Sequence, residues 1–333
     1  MTAMAKMAKP IRQFWTTVGV GWVLLGVAAF VYARLMKVPA GIALPLALAF
    51  LAEYPFYLLP GFAAVRERFV TGGKARAAAI FAASAIAPWL IYALSTGHFS
   101  WSALVVLASI AVLTNFWYIA FPAHPAADLL YLCLFAAILL LKVFTRVYPA
   151  PWPKIEMSVL GHVMLIRVMA FSFVAIRGGV GADYRFIPTR REWLDGLRWF
   201  AILLPPLGAV YWALGLVAPR MPHPMNIGLV IGTFFGILWL TALSEEFIFR
   251  GLLQPWIEKW TSSPVAALVV TSLLFGSIHL TFHFHGGFPN WRFSIAAATL
   301  GLFCGLARRR TGGIQAGMVA HALTVAVWKM FLQ

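Results

Sequence analysis

The sequence predicts an all-α polytopic membrane protein with about eleven transmembrane helices, N-terminus inside and C-terminus outside. Three observations carry this. The 333 residues are 62% hydrophobic and only 11% charged, more apolar surface than a water-soluble domain can bury. The apolar residues fall in runs of about 20, the length an α-helix needs to cross the hydrocarbon core. Alternating segments of about ten residues, the mark of a transmembrane barrel, are absent.

The runs lie at 14–34, 41–61, 77–96, 101–121, 128–145 and 157–176, then at 198–217, 227–250, 264–283, 293–307 and 314–332. No cleavable signal is expected, because the first run is long and no small-residue cleavage site follows it. With the N-terminus inside, sixteen Lys and Arg residues fall on the cytoplasmic side, among them Arg66, Arg190, Arg191, Arg308, Arg309 and Arg310, and eight on the other. This bias follows the positive-inside rule and calls for an odd number of crossings. The net charge of +16 is then orientation plus attraction to anionic lipid, with no nucleic-acid partner. The expected location is a bacterial cytoplasmic membrane. Cys133 and Cys304 lie inside predicted helices without a CxxC spacing and read as small buried hydrophobes.

The longest polar stretch, Arg177 to Arg198, divides the chain near residue 190. An N-terminal membrane region, 1–189, holds about six of the helices, and 190–333 holds about five. Within that stretch "TRREWLDGLRWF" either begins an interfacial helix, capped by Thr189 with Glu192 three residues on, or is an ordinary cytoplasmic loop. The first region has few ionisable groups at depth: Glu53, His162 and Arg167. An intramembrane acid is a functional candidate by default. Glu53, isolated beside Pro55, reads instead as a structural polar contact or a protonated acid, and Arg167 either snorkels or pairs with it. His98 and His124, in loops or at span ends, read as non-catalytic.

The second region holds most of the intramembrane polar residues. "LWLTALSEEFIFRGLLQPW" places Glu245 and Glu246 side by side in an apolar helix, with Arg250 four residues after Glu246. An ionised acid at mid-helix costs about 2.5–3.5 kcal/mol on insertion scales, and two adjacent acids repel each other's charge. The spacing of four puts Glu246 and Arg250 on one face, so they predict an ion pair. Glu245, about 100° around the helix, is left to face a cavity. One carboxylate held and one poised is the pattern of a general base. The next run carries Phe275 and His279, four apart, and the last carries His321 among apolar residues. At 1.5 Å per residue, Glu245 lies roughly 10–15 Å from the cytoplasmic end of its helix, His321 roughly 10 Å and His279 roughly 20 Å.

This ordered set, "EEFIFRG", "FGSIH" and "HALTV", resembles the CPBP family of intramembrane proteases, which includes the type II CAAX prenyl endopeptidases and bacterial relatives linked to bacteriocin immunity. The resemblance covers about residues 195–333. It implies that Glu245 activates the hydrolytic water with help from His279. Glu246 supports the site with Arg250, and His321 contributes to the oxyanion site. It implies a membrane-embedded or lipidated peptide substrate. Where family members often carry Asn four residues after the final His, this chain has Val325, with Thr324 before it; Thr324 replaces the missing donor only if the helix is rotated or bent. Glu245, His279 and His321 could assemble a three-ligand zinc site; His283 and His285 either extend it or, as the preferred reading, sit at the non-cytoplasmic interface in the "HFHGGFPNW" turn. The H-E-x-x-H spacing is absent, and hydrolysis without a metal or other cofactor is the favoured reading. The alternatives are a catalytically weak binding or immunity scaffold of the same fold and, less favoured, a transporter.

Overall fold

The computed structural model describes residues 3–153, 155–178, 184–217, 227–282 and 288–332. Among these residues every regular element is helical. Among the described residues seven helices are long and apolar enough to cross a membrane: Pro10–Leu35, Ala40–Gly61, Lys74–Ser95, Trp101–Ala120, Ser158–Arg177, Val230–Thr261 and Pro264–Thr281. The other four predicted runs form helices that are shorter or carry more charge. Pro125–Leu140 is one, and the last helix is regular only over Gln315–Val327. Two compact units emerge, Met1–Gly179 and Val180–Gln333.

The first unit contains α1 (Ala3–Leu35), α2 (Ala40–Leu58), α3 (Ala63–Val70), α4 (Lys74–Ser95), α5 (Trp101–Ala120), α6 (Pro125–Leu140), α7 (Val143–Val147) and α8 (Ser158–Phe171). Local chemistry sets the breaks. The His124 side chain caps α6, accepting from the Ala126 amide at 3.2 Å, and Pro125 opens the helix where an amide would have no partner. Two contacts tie the ends of α4 to the segments that flank α8. Lys74 Nζ donates to the Ile176 carbonyl at 2.6 Å at one end, and Trp89 Nε1 donates to the Val147 carbonyl at 3.0 Å toward the other.

Between those ends lies a polar knot. Arg167 on α8 makes a bidentate contact with Glu53 on α2, and its Nη1 donates to Ser84 Oγ on α4 at 3.0 Å. The rings of Phe81 and Phe56 lie 4.8 and 5.2 Å from the guanidinium, a favourable cation–π arrangement. All three polar side chains are buried. Arg167 therefore pairs rather than snorkels, and Glu53 is a structural contact. His162, on the same helix, turns elsewhere and packs its ring on Phe144. Cys133 departs from expectation: it lies on the exposed face of α6, while Cys304 is buried.

The second unit opens with α9 (Arg190–Ala213), whose first turn is a complete capping box. The Thr189 hydroxyl accepts from the Glu192 amide, and the Glu192 carboxylate accepts from the Thr189 amide at 2.6 Å. The "TRREWLDGLRWF" stretch therefore begins a helix with the expected Thr189–Glu192 cap rather than forming a loop, and that helix is α9. Next comes a continuous helix over 227–261 (α10), eleven residues longer than its predicted run. Gln254, Glu258 and Lys259 lower the hydropathy there without ending the helix. It stops where Ser262 takes a left-handed φ of 52°. The Ser263 hydroxyl and Pro264 then open α11 (Pro264–Ile278). The Asn290 side chain caps α12 (Trp291–Thr311), which ends at Gly312 with φ 78°, a conformation glycine adopts without strain. The chain finishes with α13 (Gln315–Val327). The helices α11 and α13 pack mainly on α12 and α9. Their shared apolar core includes Leu203, Leu207, Phe249, Phe275, Leu300 and Trp328.

Candidate active site

The site is built around one turn of α10. Two π-helical stretches, Ile237–Ala242 and Phe247–Leu253, bracket the α-helical turn Leu243–Glu246. A π turn widens the helix and shifts the side-chain register, and such insertions recur at functional sites. Below it, Glu246, Arg250 and Gln254 follow at intervals of four and are all buried, so a polar stripe runs down the inner face of α10.

The ion pair expected from spacing is present: Arg250 Nη1 donates to Glu246 Oε1 at 3.2 Å. The guanidinium lies over the Phe275 ring, 4.5 Å from its centroid. Phe275 is the hub of the cluster. Its ring also meets Phe249 at 5.0 Å, His279 at 4.8 Å and His321 at 5.7 Å. Three motifs far apart in sequence therefore converge on one aromatic ring.

His321 joins the two acids. Its Nδ1 lies 2.9 Å from Glu246 Oε1 and its Nε2 lies 3.6 Å from Glu245 Oε2. An ionised carboxylate only accepts, so Nδ1 donates to Glu246. That contact fixes the ring and aims Nε2 at Glu245. The second contact exceeds ordinary hydrogen-bond length. Glu245 is the one acid of the pair that retains exposure, 22% of its side chain against 0% for Glu246. His279 closes the aromatic side: its Nδ1 lies 2.7 Å from the Phe275 carbonyl. A carbonyl accepts, so Nδ1 carries the proton and Nε2 is left as an acceptor.

The depths estimated from sequence placed His279 about 10 Å beyond His321 along the helix axes. The longer α10 removes the difference from Glu245. Counted from Thr261, Glu245 lies about 24 Å along its helix, and His279 lies about 22 Å beyond Pro264. Thr324 is buried, and its hydroxyl donates to the Ala320 carbonyl of its own helix at 2.8 Å. Val325 packs against the apolar core. The helix is therefore not rotated in a way that turns Thr324 into the missing donor.

Potential metal ligands gather differently from the predicted set. Among the described residues, the donor atoms that lie within 4.8 Å of one another belong to Glu246, Cys304 and His321, not to Glu245, His279 and His321. Arg250 already neutralises Glu246 from one side, and a divalent cation on that carboxylate would sit beside the guanidinium charge. The donor set therefore fits a metal poorly. His283 and His285 lie outside the described residues.

Three glycines of the site, Gly301, Gly305 and Gly317, had drawn no attention in the sequence, and Gln254 and Cys304 had been given no role in it. Gln254 Nε2 reaches the Gly305 carbonyl at 3.4 Å, and the Cys304 thiol faces the Gly317 carbonyl at 3.6 Å. A signal existed. Gly301 and Gly305 form a GxxxG pair, the spacing that lets membrane helices approach closely, and Gly317 lies one turn before His321 on the same face.

No curated protein and no solved structure matches the chain. Residues 226–327, which hold Glu245, Glu246, Arg250, Phe275, His279 and His321, match the family described as type II CAAX prenyl endopeptidase Rce1-like, and it is this C-terminal stretch that the chain shares with that family.

Proposed function

We propose that this chain is an intramembrane endopeptidase that hydrolyses a peptide bond of a membrane-associated or lipidated substrate, with residues 190–333 as its catalytic membrane domain. The observation that carries the reading is the unequal treatment of the two acids. Glu246 is fully buried and held by Arg250 and His321, whereas Glu245 is partly exposed and faces His321 Nε2.

In this reading Glu245 takes a proton from water. The hydroxide adds to the scissile carbonyl carbon, and the oxyanion accepts from His321 Nε2–H. As the C–N bond breaks, Glu245 returns the proton to the leaving nitrogen. In this reading His321 offers one N–H to each acid, Nδ1–H to Glu246 and Nε2–H toward Glu245. Once Glu245 carries the water proton, the Nε2–H contact passes to the oxyanion, so the interaction strengthens in the transition state. The acceptor Nε2 of His279 orients the water. No metal takes part. Eleven crossings and an N-in, C-out orientation, in a bacterial cytoplasmic membrane, complete the reading.

The test compares membrane peptides by mass spectrometry between cells carrying the native chain and Glu245→Ala. Products present only with the native chain support it; an equally active Glu245→Ala variant overturns it. One observation favours a second reading, a binding scaffold that has lost the chemistry: Thr324 is satisfied by its own helix and Val325 offers no donor. In that case cellular function survives simultaneous loss of Glu245 and His279. A transporter finds less support, because the ionisable knot of the first unit, Glu53 with Arg167, is paired and sealed.

A further inference from the structure

We infer that Gly317 and Gly301 are positioning residues for the Glu246–Arg250–His321 network, acting through the absence of a Cβ. Three atoms of this network are buried and take no hydrogen bond among the described residues: Glu246 Oε2, Arg250 Nε and Arg250 Nη2. The hydrogen bonds made through Glu246 Oε1 and Arg250 Nη1 hold one side of each group. Glycines make the room for Glu246 Oε2 and Arg250 Nη2 on the other side. A Cβ on Gly317 would stand 3.1 Å from Glu246 Oε2 and 3.4 Å from the Cys304 carbonyl. A Cβ on Gly301 would stand 2.8 Å from Arg250 Nη2 and 3.1 Å from Phe275 Cδ1. The two glycines come from different helices, α13 and α12, and each receives one member of the ion pair.

The backbone at both positions is ordinary helix, so glycine is not needed there for its conformational freedom. In a helix interior it costs roughly 0.5–1 kcal/mol relative to Ala, and close approach is what it provides. A methyl group at Gly317 would already touch the Cys304 carbonyl, so Glu246 Oε2 has to give by a few tenths of an ångström. That movement strains the Oε1 contact with His321 Nδ1 and with it the aim of Nε2 at Glu245. At Gly301 the guanidinium must shift away from Glu246 Oε1. Gly208 on α9 is the contrast: a Cβ there meets nothing within 4 Å.

The kinetic part of this inference rests on the proteolytic reading; the structural part does not. The experiment uses the full-length chain in detergent with 15N-labelled histidine. The His321 Nδ1–H resonance is assigned by its disappearance in His321→Gln. The expected result is that Gly317→Ala loses or shifts this resonance while Gly208→Ala retains it. With a lipidated reporter peptide, Gly317→Ala and Gly301→Ala lower kcat by about 10–100-fold, the range expected for displaced catalytic groups, with KM within about twofold. Unchanged resonance and unchanged kcat in folded Gly317→Ala overturn the inference. Should Gly317→Ala fail to fold, Gly301→Ala reads the same two quantities. A native chain that cleaves nothing, yet shows the resonance change, removes the proteolytic reading and leaves the positioning role standing.

Discussion

Among the described residues two Glu–Arg pairs are buried, and they are finished differently. In the first unit both oxygens of Glu53 are taken by Arg167, which also donates to Ser84 and lies between aromatic rings. In the second unit a single oxygen of Glu246 serves both Arg250 and His321, while Glu246 Oε2 and Arg250 Nε and Nη2 have no hydrogen bond among the described residues. Buried polar groups are normally satisfied, and those that are not call for an explanation. The saturated pair holds helices together. The unsaturated pair keeps a second acid and an imidazole in position beside it, and its unmet hydrogen bonds are the cost of that arrangement. Burial of an ion pair therefore says little about its role; how completely it is satisfied says more.

The largest expected effect separates the pairs by function. Glu245→Ala reduces cleavage by at least about 10²-fold, as for loss of a group that acts on a proton in the transition state, and leaves thermal unfolding in detergent nearly unchanged. Glu53→Ala does the reverse. It strands Arg167 and destabilises the protein by about 3–5 kcal/mol, while cleavage per folded molecule is retained. If Glu53→Ala instead abolished turnover in a stably folded chain, the division of roles would fail.

Glu246→Gln sharpens the comparison. It keeps the shape but removes the charge that balances Arg250 and draws the His321 proton. A fall in kcat of about 10²-fold is expected, in line with loss of one charge-stabilising group, with a smaller fall in stability than Glu53→Ala. Steady-state kinetics beside chemical denaturation separate the two. Val325→Asn asks whether a donor can be added. It places an amide one turn after His321, at a stability cost of about 1–3 kcal/mol for burying a polar group. A rise in kcat supports the enzyme reading, and no change in a chain without turnover favours the scaffold.

The smallest effect concerns the start of α9. Burial raises the Glu192 carboxyl, but the Thr189 amide and hydroxyl and Arg185 outweigh it and hold the group below its ordinary 4.5. A depressed carboxylate contributes stability above its unfolded pKa and loses it as pH falls through the folded value. Thermal stability should therefore fall below about pH 4.5. Thr189→Ala should cost about 1 kcal/mol near neutral pH and flatten that pH dependence.

Much of this was legible in the chain. The Glu246–Arg250 pair and the Thr189 cap lie within one or two turns, where helical rise and twist leave one geometry. The helical character followed from apolar runs that must satisfy their own backbone hydrogen bonds in lipid. Helix length was less legible: α10 continues past Gln254 as a mixed-polarity segment that hydropathy discounts. Only the tertiary structure decided that Arg167 meets Glu53 across 114 residues. It alone decided that His321 binds the held acid while facing the working one, and that Gly301 and Gly317 receive the charged pair. The physical reason is register. A sequence fixes which residues share a face of one helix, but the height and rotation at which two helices meet are set by packing, and in this site they depend on where a side chain is missing.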